Sequence, residues 1–496
     1  MIKNYLTTAI RNLRKHVFYS SINVLGLSIG LACFILITLY VTDELSYDTF
    51  HQDLEDIHRL DFAAALNGNE FDMSLSSVPA AQAMMDEFPE VVSAVRLRQV
   101  GERFIKRKDQ DETFKEEKTV FADSNFFQFF DFELIQGNTE EVLKRPNTVA
   151  ISETVAKKLF GNNDPLGQEV VIGSSTDYEV TGVFADMPNR SHMHFDLIFA
   201  MEGREESKSK VWMSFNFATY LKLQPGTDPD VINNKSPYII EKYIGPEIRQ
   251  FMGATLEEFE ESGNYAGFRL FPMKEIHLHS DKLGEFEPNG DINYVYIFSA
   301  IAAFILLLAC INFMNLATAR SASRAKEVGV RKAMGAYRGQ LINQFLAEAV
   351  IICLIAFLLA FGLSAAALPY FEELSSKTLE YGNLFSVTFV GGLLAVIIMV
   401  GFLAGSYPAF YLSKFRPSEV LKGKLNLGMK SGGIRSTLVV LQFTISIIMI
   451  VGTAIIYDQL SYIRNKKLGF NKDQIIMVHD AWLLSDKLDA YKNEAL

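Results

Sequence analysis

Five long stretches of apolar residues interrupt an otherwise mixed sequence. They are residues 17–42, the interval between Asp291 and Arg320, the interval between Arg338 and Glu372, the interval between Glu380 and Lys414, and residues 436–457. A helix rises about 1.5 Å per residue, so about 20 apolar residues cross about 30 Å of hydrocarbon. Glu348 is the only charged residue inside these stretches. The pattern therefore predicts five transmembrane helices.

The region between the first two stretches has the shorter patterns of a folded domain. Apolar runs predict strands at Glu169–Ile172 and at residues 178–184, and helical spacing predicts a helix at residues 152–160. Turn residues such as those at 162–165 separate these elements. We predict one mixed α+β domain, or two subdomains with the polar residues 202–210 as an exposed loop or boundary.

Charge distinguishes three short segments from the rest of the chain. Residues 1–16, 318–342 and 412–436 hold 16 Lys and Arg against two acids, whereas the remainder holds 31 bases and 56 acids. Short loops rich in Lys and Arg stay in the cytoplasm, so the long segment after the first span is predicted to lie outside. The net charge of −11 belongs to that outer face and does not indicate a nucleic-acid partner. The predicted fold class is an α-helical transmembrane protein with a large mixed α+β extracytoplasmic domain.

Two alternatives to membrane spans are open from the pattern alone. A large soluble core would also give 49% hydrophobic residues, but soluble core helices rarely contain such long apolar runs. A signal peptide would also begin with basic residues, yet the first run is longer than a signal-peptide core and no A-x-A site follows it. Cys33, Cys310 and Cys353 all lie in predicted spans, so no disulfide framework is expected in the outer domain.

A short repeat links the first and fifth spans. Residues 43–47 read D-E-L-S-Y at the end of the first span, and residues 458–462 read D-Q-L-S-Y at the end of the fifth. A repeat at the same position of the same kind of element indicates a second copy of one unit. We therefore expect residues 458–496 to begin a second, truncated outer domain.

Several motifs together resemble MacB/FtsX-like ABC transporter permeases. The signature-like string E-V-G-V-R-K-A-M-G-A at 327–336 follows a span that ends in N-L-A-T-A-R. The strings D-E-L-S-Y-D-T-F-H at 43–51, V-A-I-S-E-T-V-A-K-K-L-F-G at 149–161 and Y-E-V-T-G-V-F-A-D-M-P at 178–188 resemble the MacB-like periplasmic core. Residues 407–423 resemble the cytoplasmic exit of the last span in a permease unit. These motifs cover most of residues 1–425.

The pattern and the resemblance together imply a domain order. It is a cytoplasmic amphipathic helix at 1–16, transmembrane helix 1 at 17–42, a MacB-like periplasmic core domain at 43–293, an FtsX-like permease domain at 294–412 with transmembrane helices 2–4 and a coupling helix at 320–338, a cytoplasmic linker at 413–435, transmembrane helix 5 at 436–457, and the start of a second periplasmic domain at 458–496.

The first cytoplasmic loop is the main candidate site. On a helix, Glu327 and Arg331 are four residues apart with the acid first, which is the favourable order for an ion pair. Val328, Arg331 and Lys332 share one side, while Val330 and Met334 give a second, partly apolar side. The pattern alone fits a docking helix and an ordinary basic loop equally well.

The resemblance implies that this loop is the coupling helix that contacts an ATPase. The residues implied in that role are Arg324, Glu327, Gly329, Arg331, Lys332 and Gly335.

Three polar side chains lie within predicted spans near the cytoplasmic side: Asn312, Asn315 and Glu348. Ionisable groups in a membrane usually face the protein interior or water. For Glu348, a role in coupling, a polar contact with Asn312 or Asn315, and simple helix pairing or snorkelling all remain open.

The sequence gives little support for a metal site or a nucleotide-binding site. The pairs His192/His194 and His277/His279 would share a face on a strand, but zinc usually takes three or four ligands, so we expect ordinary surface or turn histidines. No phosphate-binding string G-x-x-x-x-G-K-[ST] occurs in the chain. We expect no catalytic, cofactor or metal site.

By resemblance, the chain is expected to be a non-catalytic permease subunit that moves its periplasmic domain to export or extract a substrate. A separate cytoplasmic ABC ATPase would hydrolyse ATP, and other partners would be membrane lipid and periplasmic adaptor or substrate proteins. The expected location is the inner (cell) membrane, multi-pass, with a cytoplasmic N-terminus. The alternative is a membrane-anchored sensor or binding receptor, which would need a cytoplasmic output domain, whereas all predicted cytoplasmic segments are short.

Overall fold

The computed structural model describes residues 17–173, 176–319, 321–379, 381–413 and 432–466, together with Arg11, Val478, Ala481 and residues 487–495. The predicted helix at 1–16 apart from Arg11, most of the linker at 413–435 and about half of the segment at 458–496 therefore lie outside the described residues. The chain forms two compact units, one made of Met1–Lys15, Leu307–Ala349 and Phe402–Leu496, the other of His16–Leu306 and Val350–Gly401.

The described helices are numbered along the chain. They are α1 (Val17–Glu44), α2 (Ala80–Glu87), α3 (Phe126–Phe129), α4 (Glu153–Phe160), α5 (Asp230–Asn233), α6 (Ser236–Ile239), α7 (Gly245–Met252), α8 (Leu256–Glu261), α9 (Ile276–His279), α10 (Ile292–Ala319), α11 (Ser321–Ala333), α12 (Arg338–Ser375), α13 (Tyr381–Leu384), α14 (Val387–Leu412), α15 (Gly432–Asn465) and α16 (Leu488–Ala495).

Five of these helices, α1, α10, α12, α14 and α15, are long and apolar enough to cross a membrane. The five predicted apolar helices are thus confirmed, with different ends. The fourth begins at Val387 because residues Tyr381–Leu384 form a separate short helix and the Ser386 hydroxyl accepts the Phe389 N–H at 3.3 Å. The fifth continues beyond Tyr457 to Asn465, so D-Q-L-S-Y is helical here, whereas α1 ends at Glu44 inside D-E-L-S-Y.

The outer domain is built around one mixed sheet of 14 strands. The strands are β1 (Ile57–Leu66), β2 (Asn69–Met73), β3 (Ser76–Ser77), β4 (Val91–Gln99), β5 (Arg103–Arg107), β6 (Phe114–Glu116), β7 (Thr119–Ala122), β8 (Leu134–Gln136), β9 (Thr148–Ser152), β10 (Glu169–Ile172), β11 (Thr176–Phe184), β12 (Leu197–Ala200), β13 (Phe215–Leu223) and β14 (Tyr265–Pro272).

The strand order is β14-β1-β13-β4-β7-β12-β9-β11-β10-β5-β6, with β2 paired to β1, β3 to β13 and β8 to β11. The pairs β9–β11 and β7–β12 are parallel, and every other strand pair is antiparallel. The first and last strands of the domain meet at one edge of the sheet, because β14 ends the strand order and pairs with β1. The mixed α+β domain predicted from the sequence is confirmed.

Local sequence signals explain several of these elements. The strand predicted at Glu169–Ile172 is β10, and the one predicted at 178–184 lies within β11. Helix α4 begins after Ser152, whose hydroxyl accepts the Val155 N–H at 3.3 Å and caps the helix. Buried side chains on both faces of the sheet form three apolar clusters, and α3 contributes three phenylalanines to one of them. Each fully buried phenyl ring contributes about 1.5–3 kcal/mol to folding.

Helix α1 packs closely against the second half of α12. Leu27, Leu31 and Ile35 recur every four residues on α1 and are fully buried. The Ser28 hydroxyl donates to the Ala356 carbonyl at 3.1 Å, and the Ser364 hydroxyl of α12 donates to the Ala32 carbonyl at 3.3 Å. Reciprocal hydroxyl-to-carbonyl bonds of this kind hold membrane helices together, because lipid offers no competing partner.

Candidate functional site

The predicted coupling helix is α11, which ends in a sharp reversal. Gly335 adopts φ +97°, a left-handed conformation that glycine takes without strain. The Ala336 N–H donates to the Arg331 carbonyl at 3.0 Å, and the Gly335 N–H donates to the Lys332 carbonyl at 3.1 Å. This pair of bonds is a Schellman motif, which ends the helix and directs the chain into α12.

One side of α11 is buried against the N-terminal part of α12 and the C-terminal part of α14. Val328 is 1% exposed and packs in an apolar cluster, whose other members are Leu341, Phe345, Ala409 and Leu412. Gly329 is also buried. The helix therefore rests on two membrane helices through an apolar contact.

A paired charge fixes the same side of α11 to α12. The Arg324 guanidinium donates from Nη1 to Oε2 of Glu348 at 2.6 Å and from Nη2 to Oε1 at 3.2 Å. The guanidinium also lies 5.5 Å from the Phe345 ring centroid. Such bidentate pairs have defined geometry as well as energy. The Glu348 carboxylate therefore pairs α12 with α11, which is one of the roles that the sequence left open for it.

Two cations lie at the C-terminal end of α14. Lys332 of α11 donates to the Ser413 carbonyl at 2.7 Å, and Arg338 at the start of α12 donates to the Ser413 hydroxyl at 3.3 Å. The end of a helix carries unsatisfied carbonyls and partial negative charge, so cations there are stabilising. Arg331 in addition donates to the side-chain oxygen of Gln344. Helix α11 is thus attached by polar bonds to both α12 and α14.

The other side of α11 is open. Met334 is 76% exposed and Val330 is 44% exposed. Beside them, Glu327 and Arg331 form the ion pair predicted from their spacing, with 2.8 Å between Oε1 and Nη2. The helix therefore has an anchored side and a free side with exposed apolar groups.

The remaining intramembrane polar residues lie on α10. Asn315 donates from Nδ2 to the Gln442 side chain of α15 at 3.3 Å, while its Oδ1 atom is buried and has no hydrogen-bond partner among the described residues. Asn312 is half-buried. The sequence predicted that both asparagines lie within a span, but it did not indicate that Asn315 pairs with α15.

A second polar cluster lies where α1 enters the outer domain. The Glu44 carboxylate accepts from His277 Nε2 at 2.7 Å and forms an ion pair with Lys377, which follows α12. The Tyr47 ring stacks on His277 with 3.3 Å between ring centroids. A Cβ atom on Gly290 would lie 2.9 Å from both Glu44 Oε2 and His277 Nε2, so the chain leading to α10 closes this cluster.

A buried chain of hydrogen bonds follows directly in sequence. Asp48, which has φ +60°, accepts from the His192 backbone at 3.1 Å and from His192 Nδ1 at 2.9 Å. His192 Nε2 is 2.8 Å from the Tyr220 hydroxyl. Burial alone would raise the pKa of Asp48, but the charge and hydrogen bonds of His192 hold that pKa below its ordinary value.

The hydrogen bonds join Asp48, His192 and Tyr220 in series, as in a catalytic relay. Unlike the groups of an active site, these side chains are not accessible to solvent. All three are buried, with exposures of 1%, 4% and 0%. Side chains buried in this way and bonded to one another support a structural role. The expectation of surface or turn histidines was wrong for His192 and His277, because each lies in the protein interior bound to a carboxylate contributed by the end of α1 or the turn after it.

The described residues contain no group of three or more His, Cys, Asp or Glu side chains arranged to hold a metal ion. His194 binds Glu287 at 3.0 Å and the Pro188 carbonyl at 2.9 Å, and His279 is exposed.

Comparison with known proteins assigns both halves of this architecture. Residues 20–235 match the family described as MacB-like periplasmic core domain, and residues 299–417 match the family described as FtsX-like permease C-terminal. The macrolide export ATP-binding/permease protein MacB of Neisseria gonorrhoeae is 35% identical over 300 residues, which are 59% of this chain and 42% of that protein. The uncharacterized ABC transporter permease YknZ of Bacillus subtilis is 28% identical over 276 residues, which are 55% of this chain and 60% of that protein.

Among solved structures, the periplasmic region of MacB from Actinobacillus actinomycetemcomitans is similar at 14% identity and a TM-score of 0.29, covering 45% of this chain and 90% of that one. The chain spans about half the length of the curated relatives named above. The first family match covers α1 and most of the outer domain, and the second covers α10 to α14, including α11. The chain belongs to the MacB/FtsX-like family of ABC transporter permeases.

Proposed function

We propose that this chain is a permease subunit that couples ATP hydrolysis by a separate cytoplasmic ATPase to movement of its outer domain. The observation that carries the proposal is the two-sided character of α11. One side is bonded to α12 and α14, while Val330 and Met334 on the other side are exposed. A helix that is fixed to the membrane helices and open to solvent can receive a partner's motion and pass it on.

The proposal includes a topology. Segments 1–16, 318–342 and 412–436 are basic and would lie in the cytoplasm, so the N-terminus is cytoplasmic and residues 43–293 form the periplasmic domain. The chain would be a multi-pass protein of the inner (cell) membrane.

Force would enter through α11 and leave through the end of α12. Closure of the ATPase displaces α11, and the bond between Arg324 and Glu348 transfers that displacement to α12. Helix α12 ends at Ser375, just before Lys377, which pairs with Glu44 at the end of α1. Glu44 in turn binds His277 of the outer domain. Each step is an ion pair or hydrogen bond, which resists being pulled apart.

The resulting work would be export or extraction of a substrate on the periplasmic side, with adaptor or substrate proteins as outer partners. Relatives with export in their names, for macrolides and for syringafactin, support export as the class of activity. ATP hydrolysis would reside in the partner, because no phosphate-binding string occurs in this chain.

A docking experiment tests the proposal directly. In the variant Val330→Glu/Met334→Glu, two exposed apolar groups of α11 become charged without loss of a buried contact. Truncation of central interface residues commonly costs about 2 kcal/mol or more, so we expect binding of the co-purifying ATPase to weaken at least about 30-fold. The matched control is Val231→Glu/Met252→Glu, in which the same residue types, 40% and 42% exposed, change on the outer domain. Unchanged ATPase binding in the α11 variant would overturn the docking role.

A further inference from the structure

An apolar groove runs between α1 and α14 beside the outer domain. Its volume is about 470 Å³, within the range of small-molecule sites. The inner part is lined by Phe34 and Leu39 of α1 and by Phe389, Leu393 and Val396 of α14. The groove has the lining expected for a hydrocarbon chain.

The groove has the depth of one bilayer leaflet. Phe34 and Asp43, its deepest and shallowest lining residues on α1, are nine residues apart, or about 14 Å along a helix. Thr388 and Val396 span a similar depth on α14. Half of a hydrocarbon core of about 30 Å is about 15 Å, so the groove extends from the membrane surface to about the midplane.

The mouth of the groove is polar and carries a cation. Arg190 of the outer domain lines it together with Ser46, Thr42 and Thr388. Arg190 donates from Nη1 to the Ser46 hydroxyl at 3.1 Å, and among the described residues no carboxylate lies within ion-pair distance of its guanidinium. Asp43 also lines the mouth, but its carboxylate lies 4.0 Å from Lys377. Arg190 thus supplies positive charge at the level where lipid headgroups lie.

We propose that this groove binds one anionic phospholipid, with an acyl chain between α1 and α14 and the phosphate on Arg190. A phospholipid matches all three features, because it combines a chain one leaflet long with a negative group at the membrane surface. This inference goes beyond the proposed function, since it needs no ATPase. It relies on the proposed topology only for assigning the lipid to the periplasmic leaflet.

Two adjacent glycines of α14 provide a test of the acyl-chain position. Gly392 lines the groove, whereas Gly391 does not, and a Cβ atom on either would meet nothing within 4 Å. The variant Gly392→Leu therefore fills the groove without a clash, and Gly391→Leu is the matched control on the neighbouring side of the helix. We expect Gly392→Leu to reduce bound lipid at least about tenfold, a change of about 1.4 kcal/mol, and Gly391→Leu to leave it at the wild-type level.

The full chain, purified with minimal delipidation and exchanged into vesicles of phosphatidylglycerol or phosphatidylcholine, would be analysed by native mass spectrometry for lipids that remain bound. We expect one phosphatidylglycerol per chain in the wild type. Arg190→Gln should reduce the preference for phosphatidylglycerol over phosphatidylcholine about fivefold, since one base near a membrane contributes about 1 kcal/mol, and Arg190→Lys should retain it.

Two results would overturn the proposal, namely equal retention of lipid in Gly392→Leu and wild type, and equal retention of both headgroups by the wild type. If Gly392→Leu keeps its lipid but loses self-association, the groove is instead an interface between two copies of the chain. ATPase binding in the same samples reports separately on the proposed function, so failure of one proposal leaves the other measurable.

Discussion

At the scale of single residues, His51 is the side chain whose protonation the fold constrains most clearly. It is 3% exposed and lies against the rings of Phe50, Phe130 and Phe132. Its Nδ1 atom accepts the Asp131 N–H at 3.1 Å, and its Nε2 atom is buried with no hydrogen-bond partner in the part of the chain that the structure describes. Both facts favour the neutral ring with the proton on Nε2.

Burial lowers the pKa of His51 from 6.5 to about 4, against the opposing effect of the Asp48 carboxylate. As pH falls from about 6.5 to about 4, the unfolded chain binds a proton at this position that the folded chain does not, so stability decreases over that window. Above about pH 6.5, His51 has no effect on the pH dependence.

We therefore predict that His51→Gln weakens the acid sensitivity of the protein. One histidine that titrates only in the unfolded state changes stability by about 1.4 kcal/mol per pH unit. The unfolding temperature of the detergent-purified chain should fall less between pH 7 and pH 5 in the variant than in the wild type. His279→Gln, at an exposed position, is the control and should keep the wild-type dependence. An identical pH profile for His51→Gln would contradict the assignment.

The sequence was least successful in predicting which side chains bind each other. His192 binds Asp48, which lies 144 positions away, and Glu348 binds Arg324 from a different helix. Spacing within one element carries no information about such partners. The ion pair of Glu327 and Arg331 was predictable because the two residues are four apart on α11 and therefore lie on the same face of the helix.

At the scale of elements, the contact between α12 and α14 depends on small residues. Gly401 and Gly405 form a G-x-x-x-G pair on α14. A Cβ atom on Gly405 would lie 2.6 Å from the Ala349 Cβ of α12, and one on Gly401 would lie 3.0 Å from the Val350 Cα. Close approach of backbones through small residues is a common means of helix association in membranes.

We predict that Gly405→Leu destabilises the protein, because the new side chain must displace α12. Overpacking of a close contact costs about 1–3 kcal/mol, and here the obstructing atom belongs to a short side chain that cannot move aside. The measurement is the unfolding temperature of the purified chain, which should be lower than in the wild type. Gly452→Leu on α15, where a Cβ atom meets nothing within 4 Å, should leave it unchanged. Equal stability of both variants would show that the helices are not in close contact.

The anchored side of α11 gives a second element-scale prediction. Glu348→Gln keeps the size of the side chain but removes the charge that holds Arg324. We expect the ATPase to bind with unchanged affinity, because the exposed side of α11 is intact, and its stimulation by the permease to fall several-fold. Glu373→Gln, at an exposed position near the other end of α12, is the control. Loss of binding in Glu348→Gln would indicate that the salt bridge maintains α11 itself rather than transmits motion.

Elements whose signal is local were predicted correctly from the sequence. The five apolar helices follow from length and apolarity, and α4 follows from helical spacing. The start of α14 was misplaced because residues 381–386 also carry no charge, and only the turn before Ser386 separates α13 from α14. The groove between α1 and α14 had no signal in the sequence, since its walls come from segments more than 300 residues apart.

At the scale of the whole molecule, the proposed function depends on the side of the membrane on which each segment lies, and the lipid proposal uses it only to assign the leaflet. The asymmetry of Lys and Arg supports the proposed topology, since 16 of them lie in three short segments with two acids. A direct test is possible because Cys33, Cys310 and Cys353 lie in membrane helices and can be replaced by alanine to give a cysteine-free chain.

In that background we predict opposite labelling of two exposed positions. Phe251→Cys, 64% exposed on the outer domain, should react with a membrane-impermeant maleimide in intact spheroplasts. Met334→Cys, 76% exposed at the end of α11, should react only after lysis. Leu358→Cys, 71% exposed in the middle of α12, should react in neither case, because a thiol in hydrocarbon does not form the reactive thiolate. Labelling of Met334→Cys in intact spheroplasts would place α11 out of reach of any cytoplasmic ATPase and remove the basis for coupling, whereas the groove would then face the opposite leaflet with its lipid-binding chemistry unchanged.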